Sequence, residues 1–446
     1  MTKRLGIFVK NASRETVSET LQKIQGRYLS NQKLLAKSNQ LNRNALKAIR
    51  KHNDPSNGFQ LKNHDVNCYV TASSISHLID GWNYIAHASN SFLSGNSGIS
   101  IHLAYYAELR AVMSLMASEG IGIFNNIHIG LQGENFDLFK EHEFTRQGSK
   151  RKRRLPTHQF SWEALKKWCN SGVKPSHNIL KVFKTKGHDF SDLIVGFHPQ
   201  ATQLTSSKIT KSWLRNWAFD VEKYKGDREL RNFVSYRPQN MADFSKKHDF
   251  RDAIEKLYEV FHVISPLGSN PFDFLDKLLL KDLFHELYSI PSIRSRGSFD
   301  DLVSNAFSHV GGAYDVSLRR MFNQTEQHLI FAEASKKEIS SLPVISRATL
   351  LLRVATGSLS LLLEEANIEK SDLNFIWDKY GFDNGFWEVA KPVDQFHKLW
   401  SEVESDYSDL TTSLDGLSNS QYVIKNETQE DISKIAQFNR ALLWGI

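Results

Sequence analysis

The sequence predicts a mostly α protein, built as one or more multi-helix bundles with a small irregular or short-strand insertion. Apolar residues recur three and four positions apart over long segments, which is the spacing of an amphipathic helix. Four prolines divide the second half into helices of ordinary length: Pro266, Pro291, Pro343 and Pro392. No repeat of roughly 20 to 50 residues is visible, which argues against a regular solenoid.

Length and composition are those of an ordinary folded protein. The chain has 446 residues, enough for two or three domains of roughly 150 residues each. A net charge of +7 permits a polyanion as partner. Because no apolar run approaches the roughly 18 residues of a membrane helix, we expect a soluble, cytoplasmic protein without membrane contact. The two cysteines, Cys68 and Cys169, lie far apart, so neither a disulfide framework nor a zinc site is expected.

Residues 1–55 are predicted to contain an N-terminal strand and a long helix. The run "RLGIFVK" is short and apolar, as is typical of a strand. From Glu15 to Lys51 the apolar residues follow helical spacing, and Pro55 and Gly58 interrupt the pattern.

Residues 56–145 are predicted to form a central helical hairpin. Two long helical patterns flank the connection "SGNSG", and the second runs from about Ile99 to Ser118. This second segment is rich in alanine, and small side chains let helices approach each other closely. We therefore expect the pair at the centre of a bundle.

Residues 146–265 are predicted to begin with a basic insertion and to continue as helices, and residues 266–446 to form a C-terminal helical domain. Because unpaired cations are costly to bury, the basic run is predicted to be solvated. It is either an exposed loop or a nucleic-acid contact through phosphates. Its five consecutive members are Lys150, Arg151, Lys152, Arg153 and Arg154.

Motifs for phosphate loops, dinucleotides, zinc proteases and calcium loops are missing from the sequence, and we expect no metal and no cofactor. A divalent-metal DNA endonuclease is one alternative, since it needs clustered carboxylates beside a lysine. The acids available lie on predicted helices: Asp273, Asp276 with Lys277, and Asp300 with Asp301. As an alternative, these acids serve as solvated or helix-terminal charges.

The combination of "HLAYYAELRAVMSLMASEGIGIF" with the later "LRNFVSYRP" resembles the HEPN class of all-helical domains. Members of that class often carry an Arg, a polar residue beside it and, after a short gap, a His. In its active ribonucleases these residues cleave RNA without metal. Arg231 and Asn232 match the first part, whereas Tyr236 stands where the His would fall. The resemblance implies catalytic roles for Arg231, Asn232 and Tyr236, and HEPN-like helices within 146–265.

A structural role is the alternative for these arginines. Arg110, in the alanine-rich helix, is expected to pair with a carboxylate, and Arg231 to pair with Glu229 or with a more distant acid. Tyr236 and Arg237 are then the end of a helix before Pro238, because the residue preceding proline is pushed away from helical geometry.

The same segments look similar to accessory proteins of bacterial defence against phages and plasmids, including Lamassu-type systems. That similarity implies a non-catalytic accessory subunit that bridges a nuclease or an SMC-like ATPase, with DNA as a further candidate partner. We keep two alternatives from other classes: a HEPN-like, metal-independent ribonuclease toxin, and a divalent-metal DNA endonuclease.

Overall fold

The computed structural model describes most of the chain, and the predicted mostly α fold is confirmed, with only small sheets of two or three strands. The described residues are 2–30, 63–124, 127–139, 141–144, 150–153, 155–170, 179–199, 212–213, 215, 221–236, 250–338, 340–387, 396–416 and 429–446.

The helices of the first part of the chain are α1 (Thr2–Asn11), α2 (Arg14–Ile24), α3 (Asn63–Leu93), α4 (Ser97–Ser118), α5 (Thr157–Asn170), α6 (Phe190–Phe197), α7 (Val221–Tyr236) and α8 (Phe250–His262). A π-helical turn, Gln25–Leu29, extends α2.

The later helices are α9 (Asp273–Tyr288), α10 (Pro291–Arg294), α11 (Phe299–His309), α12 (Val316–Asn323), α13 (Leu329–Ser335), α14 (Ser341–Glu365), α15 (Gly381–Asp383), α16 (Phe396–Gly416), α17 (Gln429–Ile435) and α18 (Ala441–Gly445). Short 3-10 turns at Lys370–Asp372 and Phe438–Arg440 and a π-helical segment, Phe375–Tyr380, connect some of them.

Within the described residues, the strands form three small antiparallel sheets. The largest has the order β1 (Ile121–Phe124), β2 (Ile127–Gln132) and β3 (Asn135–Leu138). The others are two-stranded hairpins of β4 (Glu141–Phe144) with β5 (Lys150–Arg153), and of β6 (Lys184–Thr185) with β7 (His188–Asp189).

Helices α3, α4 and α14 pack together at the centre, as predicted for the first two. The predicted connection is also confirmed, since α3 ends at Leu93 and α4 begins at Ser97. The Trp82 indole of α3 donates a 3.0 Å hydrogen bond to the Thr356 hydroxyl of α14. Helix α14 is the described helix that is long and apolar enough to cross a membrane, but 89% of its most apolar window is buried within the protein. It is therefore a core helix of the bundle.

The predicted N-terminal strand is wrong, because residues 2–11 form helix α1. Its buried residues Leu5, Phe8 and Val9 are three and four positions apart, so one helical face meets the core. The predicted long helix after it begins at Arg14, and its continuation in residues 31–51 lies outside the described residues.

One hydrophobic core runs from Leu5 to Ile446. This core crosses the predicted boundary between residues 265 and 266, because α14 packs against α3 and α4 as the third central helix. The C-terminal helices therefore share their core with the helical hairpin.

Candidate functional site

Helix α7 is held against the central helices by a buried ion pair. The Arg347 guanidinium of α14 donates two hydrogen bonds, of 2.7 and 2.6 Å, to the Asp227 carboxylate of α7. It also donates to the backbone oxygens of Ala334 and Lys336 at 2.9 and 3.2 Å. Because two parallel bonds fix both position and orientation, this pair sets which face of α7 meets α4.

A third buried ionisable residue, Glu108 of α4, lies beside the Arg347–Asp227 pair. Its carboxyl oxygen lies 3.7 Å from Arg347 Nε. Burial raises its pKa well above the ordinary value, and the neighbouring Asp227 carboxylate raises it further, while Arg347 opposes both effects. Burial at this position therefore favours the protonated form of Glu108.

Arg231 lies one helical turn beyond Asp227 and is buried, with 8% of its surface exposed. Its guanidinium carbon lies 5.2 Å from the Tyr105 ring centroid and 5.5 Å from that of Tyr106. Its Nε is buried without a hydrogen-bond partner, and the guanidinium forms no ion pair with any residue that the structure describes. The predicted pairing with Glu229 is not found, whereas Arg110 does have a carboxylate neighbour, Asp80, at 3.5 Å.

Two histidines flank the same tyrosine. The His102 ring centroid lies 5.0 Å from that of Tyr106, and the His158 ring centroid lies 6.0 Å from it. His102 belongs to α4 and His158 to α5, so three helices contribute to the cluster. His102, Tyr106 and His158 are half-buried, which leaves this side of the cluster open to solvent.

Both histidines are neutral near pH 7. Burial lowers the pKa of His158 to about 4, and the positive charges of Arg231, Arg228 and Arg110 lower it too. Burial and Arg231 likewise lower the pKa of His102 below its ordinary value of 6.5. A neutral imidazole can accept a proton or donate a hydrogen bond, depending on its tautomer.

Polar contacts orient both imidazoles. His102 Nδ1 lies 2.7 Å from the hydroxyl of Ser235 on α7. His158 Nδ1 lies 3.1 Å from the Tyr105 hydroxyl, which also accepts a 3.4 Å hydrogen bond from the Trp162 indole. Helix α7 therefore positions one histidine, and the α4–α5 contact positions the other.

We call the residues that face one another here the Arg231 cluster: His102, Tyr105, Tyr106, His158, Arg228, Arg231 and Ser235. Among the described residues the buried Arg231 guanidinium has no counter-charge, and such a site favours an anion because burying a cation without a counter-charge is costly. A bidentate arginine suits a phosphate, and a neutral histidine beside it can accept the proton of a hydroxyl group. The cluster therefore has the groups needed to bind a phosphodiester and to activate a nucleophile beside it.

The three residues of the sequence motif, Arg231, Asn232 and Tyr236, all lie on α7. Arg231 lies at the centre of the cluster, and Asn232 lies beside it on α7, half-buried. Tyr236 is the last described residue of α7, and its side chain and the residues after it lie outside those described, so the helix end before Pro238 stays a prediction. Two histidines from other helices, His102 and His158, lie close enough to Arg231 for its charge to lower their pKa values.

The basic run is largely a strand. Lys150, Arg151, Lys152 and Arg153 form β5, whose backbone pairs with β4 in the register Glu141↔Arg153 and Glu143↔Arg151. Arg154 and the side chains of the run lie outside the described residues, so its contact with nucleic acid stays a prediction.

The acids considered for a metal are bound to other partners. Asp276 accepts two hydrogen bonds from Arg353, at 2.9 and 2.6 Å, and Asp273 lies 2.6 Å from Lys277. On α11, Asp300 accepts from Tyr314 and Asn323, and Asp301 is in the first turn beside the capping Ser298. Within the described ranges, no three His, Cys, Asp or Glu side chains are placed to hold a metal ion.

Sequence reasoning missed most of the Arg231 cluster. His102, Tyr105 and Tyr106 are three and four residues apart, which puts them on one face of α4, so their spacing was an available signal. Nothing in the sequence marks His158, since its contact with Tyr105 joins residues 53 positions apart.

Comparison of the chain with protein families, curated proteins and solved structures finds no match.

Proposed function

We propose that the chain is a metal-independent ribonuclease and that the Arg231 cluster is its active site. The observation that carries this proposal is the Arg231 guanidinium, which is 8% exposed and has no acidic partner among the described residues, beside two neutral histidines. A phosphodiester supplies the missing negative charge, and RNA carries its own nucleophile in the 2′-hydroxyl.

The reaction requires three actions from the cluster. His102 Nε2 accepts the proton of the 2′-hydroxyl when its Nδ1–H donates to Ser235. The 2′-oxygen forms a bond to phosphorus, and the bond from phosphorus to the 5′-oxygen breaks. The 5′-oxygen takes a proton from water, and His102 returns its proton to solvent. Arg231 stabilises the negative charge that develops on the phosphoryl oxygens.

The products are a 2′,3′-cyclic phosphate and a free 5′-hydroxyl. This route uses the chain's own side chains for proton transfer and charge stabilisation, so cleavage proceeds in the presence of a chelator.

The proposal is tested with purified protein, labelled RNA and excess EDTA. Arg231→Ala is expected to lower the cleavage rate by about 100-fold or more, the size of effect found when a transition-state donor is removed. Arg319→Ala is the matched control, because Arg319 also lies over a tyrosine, 5.4 Å from the Tyr314 centroid, but is exposed. Equal rates for wild type and Arg231→Ala would refute the proposal.

A second candidate is RNA or DNA binding without cleavage, within a bacterial defence complex that contains a nuclease or an SMC-like ATPase. It is favoured by Tyr236 at the position of the motif's histidine and by the basic strand β5. The same experiment separates the two, since a binding subunit retains labelled RNA or DNA on a filter and leaves it intact.

A further inference from the structure

Among the described residues, the Tyr105 hydroxyl has one neighbour that can accept its hydrogen. Tyr105 is fully buried, with 0% of its surface exposed, and its hydroxyl has two neighbours in the described structure. The Trp162 indole N–H can only donate, so towards Trp162 the hydroxyl acts as acceptor. The remaining neighbour, His158 Nδ1 at 3.1 Å, is the acceptor for the hydroxyl hydrogen.

The opposite arrangement is costly. If His158 Nδ1 carried the proton, the Tyr105 hydroxyl would accept from both neighbours and its own hydrogen would be buried without a partner. An unsatisfied buried donor is disfavoured, as buried polar groups almost always have a partner. The hydroxyl therefore donates to His158.

We infer that Tyr105 fixes the tautomer of His158, so that Nδ1 is unprotonated and Nε2 carries the hydrogen. His158 then acts as a neutral hydrogen-bond donor and cannot accept a proton at Nε2. Tyr105 is a positioning residue, since it acts through the histidine.

This inference deepens the proposed ribonuclease function and rests on it for its chemical meaning. It assigns different roles to the two histidines: His158 Nε2–H stabilises a phosphoryl oxygen together with Arg231, whereas His102 is left as the general base. A neutral imidazole is an effective electrophilic donor because its hydrogen bond strengthens as charge develops on the oxygen.

The tautomer is measured directly by long-range ¹H–¹⁵N NMR of the full chain labelled at histidine. The His158 resonances are identified by their loss in His158→Gln. We expect a pyridine-like Nδ1 and a pyrrole-like Nε2 in the wild type at pH 7. In Tyr105→Phe, which keeps the ring over Arg231, we expect both nitrogens of His158 to shift towards the average of the two tautomers.

Tyr380→Phe is the matched control, because it also removes a buried tyrosine hydroxyl, one that donates to Asn83 at 2.9 Å. Its His158 spectrum is expected to match that of the wild type. In the cleavage assay, Tyr105→Phe is expected to lower kcat about tenfold with KM unchanged, since the donor acts on the transition state.

A protonated Nδ1 in the wild type overturns the inference, and so does a His158 spectrum that is the same in wild type and Tyr105→Phe. The NMR result does not depend on activity. A protein that shows the expected tautomer but leaves RNA intact therefore contradicts the proposed function and leaves the tautomer assignment standing.

Discussion

At the scale of single residues, the environment of each titratable group determines what it can do. His102 and His158 are neutral because burial and neighbouring arginines disfavour their charged forms. Burial and the neighbouring Asp227 carboxylate raise the pKa of Glu108 and so favour its protonated form. The cluster thus combines a permanent positive charge on Arg231 with neutral proton acceptors and donors, which is the combination that phosphodiester transfer needs.

The neutrality of His102 has a consequence for the pH dependence of cleavage. The general base must be unprotonated, so kcat/KM rises as pH increases through the pKa of His102 and is level above it. Because that pKa is lowered, the midpoint of this rise is expected below pH 6.5. Initial rates over a pH series in EDTA measure it, and a rate that falls with increasing pH over the same range would contradict the role of His102 as base.

The raised pKa of Glu108 predicts how the free energy of unfolding depends on pH. Its folded-state pKa is raised above the unfolded value, so its contribution to the free energy of unfolding is full below the unfolded pKa and is lost as pH rises towards the folded pKa. Glu108→Gln removes this titration. Above roughly pH 5, the free energy of unfolding of the variant minus that of the wild type is therefore expected to increase by up to about 1.4 kcal/mol per pH unit.

Urea unfolding at several pH values measures the difference, with Glu15→Gln, an exposed glutamate of α2, as the matched control. A difference between wild type and Glu108→Gln that stays constant with pH would show that Glu108 is ionised in the folded protein.

At the scale of helices, the close contact between α14 and the segment at Val182 depends on a glycine, Gly357. A Cβ atom added at Gly357 of α14 would lie 2.8 Å from the backbone oxygen of Val182. That oxygen also accepts a 3.1 Å hydrogen bond from Arg353, so the segment at Val182 cannot move without breaking a buried contact. Helix α14 therefore requires glycine where it meets this segment.

Gly357→Ala is expected to lower the free energy of unfolding by about 1 to 3 kcal/mol, the usual cost of overpacking. Gly226→Ala is the matched control, because Gly226 is an exposed position of α7 with nothing within 4 Å of its added Cβ. There, alanine is expected to stabilise the helix by about 0.5 to 1 kcal/mol. Urea unfolding compares the two variants, and equal stabilities would contradict the packing described for α14.

At the scale of the whole molecule, the sequence predicts individual helices from local spacing but not the contacts between residues far apart along the chain. The helices α3 and α4 follow from their apolar spacing and from the connection between them. The N-terminal run "LGIFV" is continuously apolar and so predicts a strand, whereas the helical period becomes visible only in the burial of Leu5, Phe8 and Val9.

The same limit applies to the candidate site. A local sequence motif marks Arg231, whereas its histidine neighbours come from two other helices. Arg347 fixes α7 from 120 residues away along the chain, and no periodicity or spacing indicates such a contact. The fold class was therefore predictable from local patterns, and the assembly of the site was not.

The central claim is that the Arg231 cluster cleaves RNA through its 2′-hydroxyl without metal. The most direct measurement incubates the wild-type protein in EDTA with an RNA oligonucleotide and with DNA of the same base sequence, and analyses the ends of the products. We predict cleavage of the RNA to fragments with 2′,3′-cyclic phosphate and 5′-hydroxyl ends, and intact DNA. Intact RNA, or equal cleavage of both strands, would contradict the account.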